Sequence, residues 1–590
     1  MQDTLILGPQ PEGHHIRINI WAPNLNHCEI WIKTTEDGAD REWTATMEDH
    51  GNGRFSYLIH SLAAEIFYAL QLPSGERIPD PYSPENDGGV HGVSKISRDT
   101  FNKIDTSIWR GTLREELIIT ELHVGAFTKE GTFNACCNRL KYLADLGITA
   151  IQLMPIFLTP GDRNWGYDPV SFFTVNPNYG SLKDLKDLVD HAHSLDMSVI
   201  LDCVFNHLGP EGNYFPKLTS EIFSKDESTP WGDKINLEDD QIQSIIFSSI
   251  KYWMHTVGVD GIRVDAAEYL RPGGSIDFLL SLARETRRNC RHKRAILILE
   301  HDHYKLSKAD LDALFGIGAY DLLWNSSISH AFEVKSSHYE NLRNALCVIA
   351  GDSKLSSSQH TCSASNYLLN FLRSHDTIGN AGENSRNEQY DFGLLFDVLP
   401  LLFLSPTTPM LFMGDDWLSE SPFHFFCDLY DVEESKLVAG RRLEFPNANQ
   451  NGPSPMSSEA FTSSKIDWAA LSETKHRDVL NTLHQLIQIR KEFTASFIRA
   501  GFKLESFKSI PQEKRSTVTW RSNDNDSLTV CLQPRTALSL PPATDEQTIF
   551  SNHTCITHTG DISTIVKLKY SKPNSAHAFI PDLAYENVDV

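Results

Sequence analysis

The sequence predicts an α/β protein, a (β/α)8 TIM barrel with an N-terminal β-sandwich and a C-terminal β domain. Two observations predict the barrel: eight short apolar runs follow one another between residues 106 and 495, and amphipathic segments of helical length lie between several of them. A third sets the flanks. Both ends of the chain read as short strand-like pieces, and 590 residues suffice for two or three domains of roughly 150–200 residues each. The expected divisions are 1–105 for the sandwich, 106–495 for the barrel and 496–590 for the C-terminal domain.

In the first segment Ile16, Ile18 and Ile20 alternate with polar neighbours ahead of Trp21-Ala22-Pro23, and strand-like pieces follow at Glu29–Ile32, Phe55–Leu58 and Ile66–Leu70. The Pro- and Gly-rich stretch from Pro79-Asp80-Pro81-Tyr82 to Val90-His91-Gly92 predicts an extended connector. The eight apolar runs are Leu117–Val124, Ile148–Ile156, Ser198–Asn206, Val259–Ala266, Ala295–Glu300, Ala319–Trp324, Tyr367–Leu372 and Pro409–Met413. Phe133–Leu146, Ser181–Leu195, Gln241–His255 and Ile276–Arg288 are the helix candidates between them. The strand count alone would also suit an open, doubly wound sheet. Gly351–Asn366 and Pro446–Ser464, rich in Ser, Asn and Pro, predict surface excursions. After a helix candidate at Val479–Phe493, strand-like pieces at Ser516–Trp520, Leu528–Leu532 and Ile565–Leu568 define the C-terminal domain.

Hydrophobic residues at 40% and charged residues at 22% are ordinary for a globular chain. The 77 acidic side chains against 53 basic ones leave a net charge of −24, which repels phosphate backbones and anionic headgroups, so neither nucleic acid nor membrane is an expected partner. The start, MQDTLILGPQPEGHH, lacks a basic segment followed by an apolar core, and no apolar stretch reaches the roughly 18 residues of a membrane span, which predicts a cytoplasmic protein. Ten scattered cysteines without a CxxC pair indicate neither a zinc site nor a disulfide framework.

Function is written at the ends of the predicted strands. In such a barrel the carboxyl ends of the strands converge on one face, so side chains distant in sequence meet there. The third strand ends in Asp202-Cys203-Val204-Phe205-Asn206-His207, the fourth in Arg263-Val264-Asp265-Ala266, the fifth in Glu300 and the seventh in Arg373-Ser374-His375-Asp376. Arg263 and Asp265, two apart, share a side of their strand, where the cation can hold the carboxylate ionised as a nucleophile. Glu300 follows an unbroken apolar run, and an apolar surround raises a carboxyl pKa toward that of a proton donor. Two carboxyls in opposed environments are what glycoside hydrolysis requires, and Asp376 is placed to favour developing positive charge. His207 and His375 are candidates for hydrogen bonds to sugar hydroxyls.

These four segments resemble the signature regions of the α-amylase superfamily of retaining glycosidases and transglycosylases. Within it the chain is similar, over most of its length, to the malto-oligosyltrehalose trehalohydrolase family. The similarity is carried by Pro79-Asp80-Pro81 with Gly89–Gly92, Glu121–Thr128, Asn164-Trp165-Gly166-Tyr167-Asp168, Phe205–Tyr214, Thr229-Pro230-Trp231-Gly232, Leu411–Trp417, Gly440-Arg441-Arg442-Leu443-Glu444-Phe445 and Ser464–Trp468. The resemblance implies hydrolysis of the α-1,4 bond next to a terminal trehalose unit of malto-oligosyltrehalose, without a metal or organic cofactor. It implies Asp265 as nucleophile, Glu300 as general acid/base and Asp376 as transition-state stabiliser. Tyr167 would be a stacking platform, and Arg263, His207 and His375 would contact sugar or nucleophile. Asp202 and Asn206 would support the strand end, with Asp202 counted among the substrate-site residues. Trp231 would line the substrate channel, or else be a core residue.

The chain departs from the family pattern at three places. Ser326-Ser327 follow Trp324-Asn325 where two acidic residues are usual, His301-Asp302 stand for Asn-Asp, and Arg373-Ser374 and Ala381 replace Gln-Asn and Arg around His375-Asp376. These flank the cleavage position and put specificity in question rather than chemistry. Other α-glucan hydrolases, and branching or transglycosylating enzymes, share the barrel and the three carboxylates.

Overall fold

The computed structural model describes residues 6–36, 39–61, 63, 65–290, 292–301, 305–328, 337–350, 367–380, 386, 392–430, 432–445, 452–534, 547–551 and 562–569. Eight parallel strands close into a barrel: β1 (Ile119–Leu122), β2 (Ala150–Leu153), β3 (Ser198–Cys203), β4 (Gly261–Val264), β5 (Ile296–Leu299), β6 (Leu322–Asn325), β7 (Leu368–Phe371) and β8 (Thr408–Phe412). β1 pairs with both β2 and β8, which settles the closed barrel against the open sheet.

Side-chain alternation builds the interior. Ile119, Ala150, Ile200, Ile296, Ile298, Leu322, Trp324, Leu369, Phe371 and Met410 fill the barrel as one apolar cluster, while their neighbours such as Leu201, Ile262 and Leu297 face the surrounding helices. Continuing the inward parity one step up gives Glu121 on β1, Gln152 on β2, Asp202 on β3 and Arg263 on β4, a polar layer over the apolar plug. Glycine at 261 is required by close approach: a Cβ there would lie 2.1 Å from the Ile296 carbonyl oxygen.

The helices start and stop where their sequences say. α1 (Phe133–Leu146) is capped by Thr132, whose hydroxyl accepts from Ala135 N–H, and ends at Gly147 with φ 105°. α2 (Leu182–Ser194) opens with a capping box between Ser181 and Asp184. α3 (Asp240–Lys251), α4 (Asp277–Asn289), α5 (His338–Ala350), α6 (Phe392–Leu404), α7 (Glu434–Glu444) and α8 (Thr474–Ile489) follow.

Two antiparallel sheets precede the barrel. One orders Gly8–Glu12, His15–Trp21, Arg54–Ile59 and Glu48–Asp49; the other orders Ala39–Thr46, Glu29–Glu36, Glu65–Gln71, Val93–Ser97 and Glu85–Asp87, with Arg77–Ile78 beside Glu65–Gln71. A five-stranded antiparallel sheet, Phe502–Ile510, Arg515–Ser522, Ser527–Pro534, Ile562–Lys569 and Gln547–Ser551, follows it.

Two expectations need correction. The Pro79–Gly92 stretch is not only a connector, since Glu85–Asp87 pairs with Val93–Ser97. The described part of Pro446–Ser464 is not a free excursion either: it holds a short helix, Ser458–Ser463, and buries Ala460 and Ser464, whose hydroxyl accepts from His424 N–H. Gly351–Asn366 lies outside the described residues. Among the described residues no helix is long and apolar enough to cross a membrane.

Candidate active site

At the carboxyl ends of the strands the fully buried guanidinium of Arg263 is shared by three carboxylates. Its Nη1 donates to Asp202 and, at 3.1 Å, to Asp265; its Nη2 lies 2.9 Å from Glu300 Oε1. The indole of Trp324 packs against it, 4.4 Å from Cζ to the ring centroid. β4 supplies Arg263 and, two residues on, Asp265; β5 leads directly into Glu300. The chain beyond Asp265 turns through Ala266 in the left-handed region, φ 42° and ψ 52°, an unusual place for a residue with a Cβ. That turn lets Ala266 N–H donate to Glu300 Oε2 at 2.8 Å. Asn206, from the end of β3, donates to Asp265 Oδ2 at 3.0 Å.

A second cation stands opposite. His375 donates from Nδ1 to Glu121 Oε1 at 2.8 Å, and its backbone N–H donates to Glu121 Oε2 at 3.0 Å. On its other side Nε2 lies 2.8 Å from the Tyr167 hydroxyl and 3.4 Å from Asp376 Oδ2. Burial alone would neutralise this imidazole, but the carboxylates of Asp376 and Glu121 outweigh it and raise the pKa to about 9. A relay follows: the charged His375 donates to Tyr167, whose hydroxyl donates to Asp202 at 2.8 Å.

Glu300 and Asp265 are both pushed up by burial, to about 7 and about 6 respectively. Arg263 opposes the shift and the neighbouring carboxylates add to it. The expectation that Arg263 simply holds Asp265 ionised is therefore too simple, because one guanidinium serves three carboxylates in a buried layer. Asp265, with bonds from both Arg263 and Asn206, is the one of the pair that ionises first.

The remaining predicted residues gather around this centre. Asp376 is half exposed at the start of a five-residue helix, His375–Gly379, and its carboxylate accepts from Asn380 at 3.2 Å. His207 Nε2 donates to the Tyr167 carbonyl at 2.8 Å, and its ring stacks on Trp231 at 5.6 Å. Trp231 is 42% exposed, so the core reading of this side chain fails. Asp202 is buried and faces Arg263 and Tyr167, with no open side toward the cleft.

Three participants had no role assigned to them from the sequence. Glu121 holds His375 from 254 positions away; its signal was a carboxylate inside the run Ile118–Leu122. Trp324 covers Arg263. Arg441, in α7, lies 3.6 Å above the Phe425 ring and donates to Asn380 at 2.6 Å, linking the Gly440–Phe445 block to Asp376.

The departures also find places. Ser374 is the N-cap of the His375–Gly379 helix, in a capping box with Thr377. Arg373 is buried and paired with Asp415 at 3.4 Å. Asn325 accepts from Ser327 N–H at 3.2 Å, which folds the two serines back at the end of β6. Asp302 and Ala381 lie outside the described residues.

Residues 95–233 match the α-amylase catalytic-domain family. The malto-oligosyltrehalose trehalohydrolase of Saccharolobus solfataricus is 31% identical over 513 residues, 81% of this chain and 85% of the relative. The chain belongs to the malto-oligosyltrehalose trehalohydrolase family. A Mycobacterium tuberculosis member of that family is 32% identical over 512 residues, covering 80% of this chain and 85% of its own. Among solved structures, a candidate α-amylase from Salmonella typhimurium superposes with a TM-score of 0.80 at 25% identity, over 95% of this chain and 99% of the other. A Paenibacillus barengoltzii pullulanase bound to maltohexaose and α-cyclodextrin shares the fold at 18% identity, with a TM-score of 0.69 over 96% and 95% of the two chains.

Proposed function

We propose that this protein is a retaining glycoside hydrolase that cleaves the α-1,4-glucosidic bond next to the terminal trehalose of malto-oligosyltrehalose and releases trehalose, a step of trehalose biosynthesis. The observation that carries the mechanism is the pairing of Asp265 and Glu300 on the two amino groups of one guanidinium, 3.1 and 2.9 Å away. Carboxyls that share one such group stand close together, as a pair must when one attacks the anomeric carbon without an intervening water; the retaining separation is about 5–5.5 Å.

Asp265 attacks the anomeric carbon, and Glu300, protonated near neutrality, donates its proton to the departing glycosidic oxygen. Glu300 then takes a proton from the water that hydrolyses the glycosyl-enzyme. Asp376 faces the positive charge that develops on the sugar, and Arg263 and the charged His375 are set against four carboxylates, Glu121, Asp202, Asp265 and Asp376, while Glu300 carries its proton. Such a surplus of negative charge favours an oxocarbenium-like transition state. Tyr167, His207 and Trp231 form the aromatic wall for the sugar. The substrate is a neutral α-glucan, compatible with an acidic chain of the cytoplasm.

The test is product analysis with malto-oligosyltrehalose and with the malto-oligosaccharide of matching length. Trehalose should dominate from the first. Glucose or maltose from the second with no trehalose from the first would overturn the assignment, and α-1,6 branch points would mark glucan transfer instead.

A further inference from the structure

The opposite end of the barrel carries a cleft of about 330 Å³, bounded by residues at the amino ends of β1, β5 and β6 and by the end of α4 with the segment after it. Its apolar floor, Leu117 and Ile296, belongs to the cluster that fills the barrel, so the plug separates the cleft from the glucan site. Arg114, Arg287, Lys293 and Arg294 line it, with Asp321 the one carboxylate among the lining residues. In a chain with 77 acids to 53 bases, four cations around one acid need a reason.

Two of the four are engaged. Arg287 pairs with Asp321 at 2.9 Å and donates to the Ala295 carbonyl, and Lys293 is tied to Asp260 at 2.9 Å and to the Val259 carbonyl. Asp321 also accepts from Leu297 N–H at 2.8 Å. Arg294 uses one amino group, on the carbonyls of Arg110 and Gly111. Arg114, half-buried, has no hydrogen bond or ion pair from its side chain among the described residues. The adjacent Glu115 and Glu116 are both turned to Arg499, at 2.8 and 3.2 Å. Burial works against the charge on Arg114, and the attraction of Asp321 and Glu115 offsets it only in part, so a further anion in the cleft would relieve it.

We propose that this cleft binds the phosphoryl group of a small phosphomonoester or of orthophosphate, gripped by Arg114 and Arg294. Guanidinium forks match phosphate oxygens in bidentate fashion, and the volume is that of a small-molecule site. The apolar floor accommodates the carbon body of an ester.

The experiment is isothermal titration of the full chain with sodium orthophosphate and with glucose 6-phosphate, with glucose as the uncharged control, repeated on Arg114→Gln and Arg294→Gln. Saturable binding of a phosphate-bearing probe is expected, weakened roughly tenfold or more by either substitution. Tighter binding of glucose 6-phosphate assigns the site to an ester; equal binding assigns it to the phosphate ion. Neither side chain belongs to the glucan site, so both variants should keep the parent's turnover and melting temperature, which separates lost binding from lost folding. No saturable binding of either probe, or binding unchanged in both variants, overturns the proposal. The readout needs no glucan, so it stands or falls apart from the hydrolase assignment.

Discussion

Arg263 decides the chemistry at the scale of single residues, because one buried guanidinium sets the protonation of three carboxylates. The reaction needs Asp265 ionised and Glu300 protonated. Activity should therefore rise as pH climbs through about 6, where Asp265 loses its proton, and fall as it climbs through about 7, where Glu300 does. The two groups titrate as a pair, so a bell-shaped kcat/KM profile with a narrow top between those values is expected, and its limbs belong to the pair rather than to either residue. A profile flat from about pH 5 to 9 would contradict the assignment. Asp265→Asn should abolish turnover while leaving the melting temperature within a few degrees of the parent's. Glu300→Gln should be comparably inactive on malto-oligosyltrehalose, yet with an aryl glycoside that leaves without protonation it should form glycosyl-enzyme faster than Asp265→Asn. Equal losses on that substrate would remove the distinction between the roles. Ser326 and Ser327 bear on specificity. An unmet sugar hydroxyl costs about 1–3 kcal/mol, so Ser326→Asp and Ser327→Asp should raise the preference for malto-oligosyltrehalose over plain malto-oligosaccharide by up to roughly ten- to a hundredfold in kcat/KM.

Elements place these residues by simple parity. Inward alternation continues past the apolar plug and delivers Glu121, Gln152, Asp202 and Arg263 in one layer, which is why strand ends were readable from sequence as functional. What escaped reading was the partner that comes from a distant strand. Glu121 and His375 are 254 positions apart, and their bond depends on barrel closure between β1 and β8, which no local pattern encodes. Strands without alternation escaped as well. Phe223–Thr229, with four consecutive exposed residues, and Ala39–Thr46, mostly exposed, pair through backbone bonds with little apolar face to announce them. The short helix His375–Gly379 is the element most exposed to a single change. Its capping box at Ser374 starts it, and Gly379 ends it against the indole of Trp165, where a Cβ would lie 2.1 and 2.2 Å from ring carbons. Trp165 is itself held by a bond to the His424 carbonyl at 2.9 Å and by stacking on Phe423. Gly379→Ala should therefore move the helix rather than the ring and carry Asp376 with it. The expected result is a kcat lower by roughly ten- to a hundredfold, with a stability loss of about 1–3 kcal/mol in urea unfolding. Unchanged kcat would show that Asp376 tolerates displacement.

In the whole molecule, the stretch from Pro79 to Glu85 joins the N-terminal sheets to the barrel through buried polar bonds. Ser171 and Thr174, from the barrel, donate to the carbonyls of Pro81 and Ser83 at 2.8 and 2.7 Å, and the Tyr82 ring meets Phe173 and Phe215 edge-on. At the centre of this seam lies Asp80, whose carboxyl accepts from the Tyr68 hydroxyl and from Tyr82 N–H, each at 2.8 Å. Among the described residues no cation faces it, and burial pushes its pKa from 3.8 to about 7. The sign of the linkage follows. The folded state holds the proton more tightly than the unfolded chain, so the stabilisation is complete below the unfolded pKa, declines as pH rises, and is gone once pH has passed about 7. Between about pH 5.5 and 8 this single group accounts for a loss of about 2 kcal/mol. Asp80→Asn keeps the size of the side chain and cannot ionise. Whatever it costs in hydrogen bonding at low pH, its stability relative to the parent should improve by that amount across the interval, with most of the change below about pH 7. Denaturant unfolding of the two proteins at several pH values, followed by tryptophan fluorescence, reads the difference. A gap between parent and variant that stays constant with pH would mean that Asp80 ionises normally, and that the seam admits water or a counter-charge to its carboxylate.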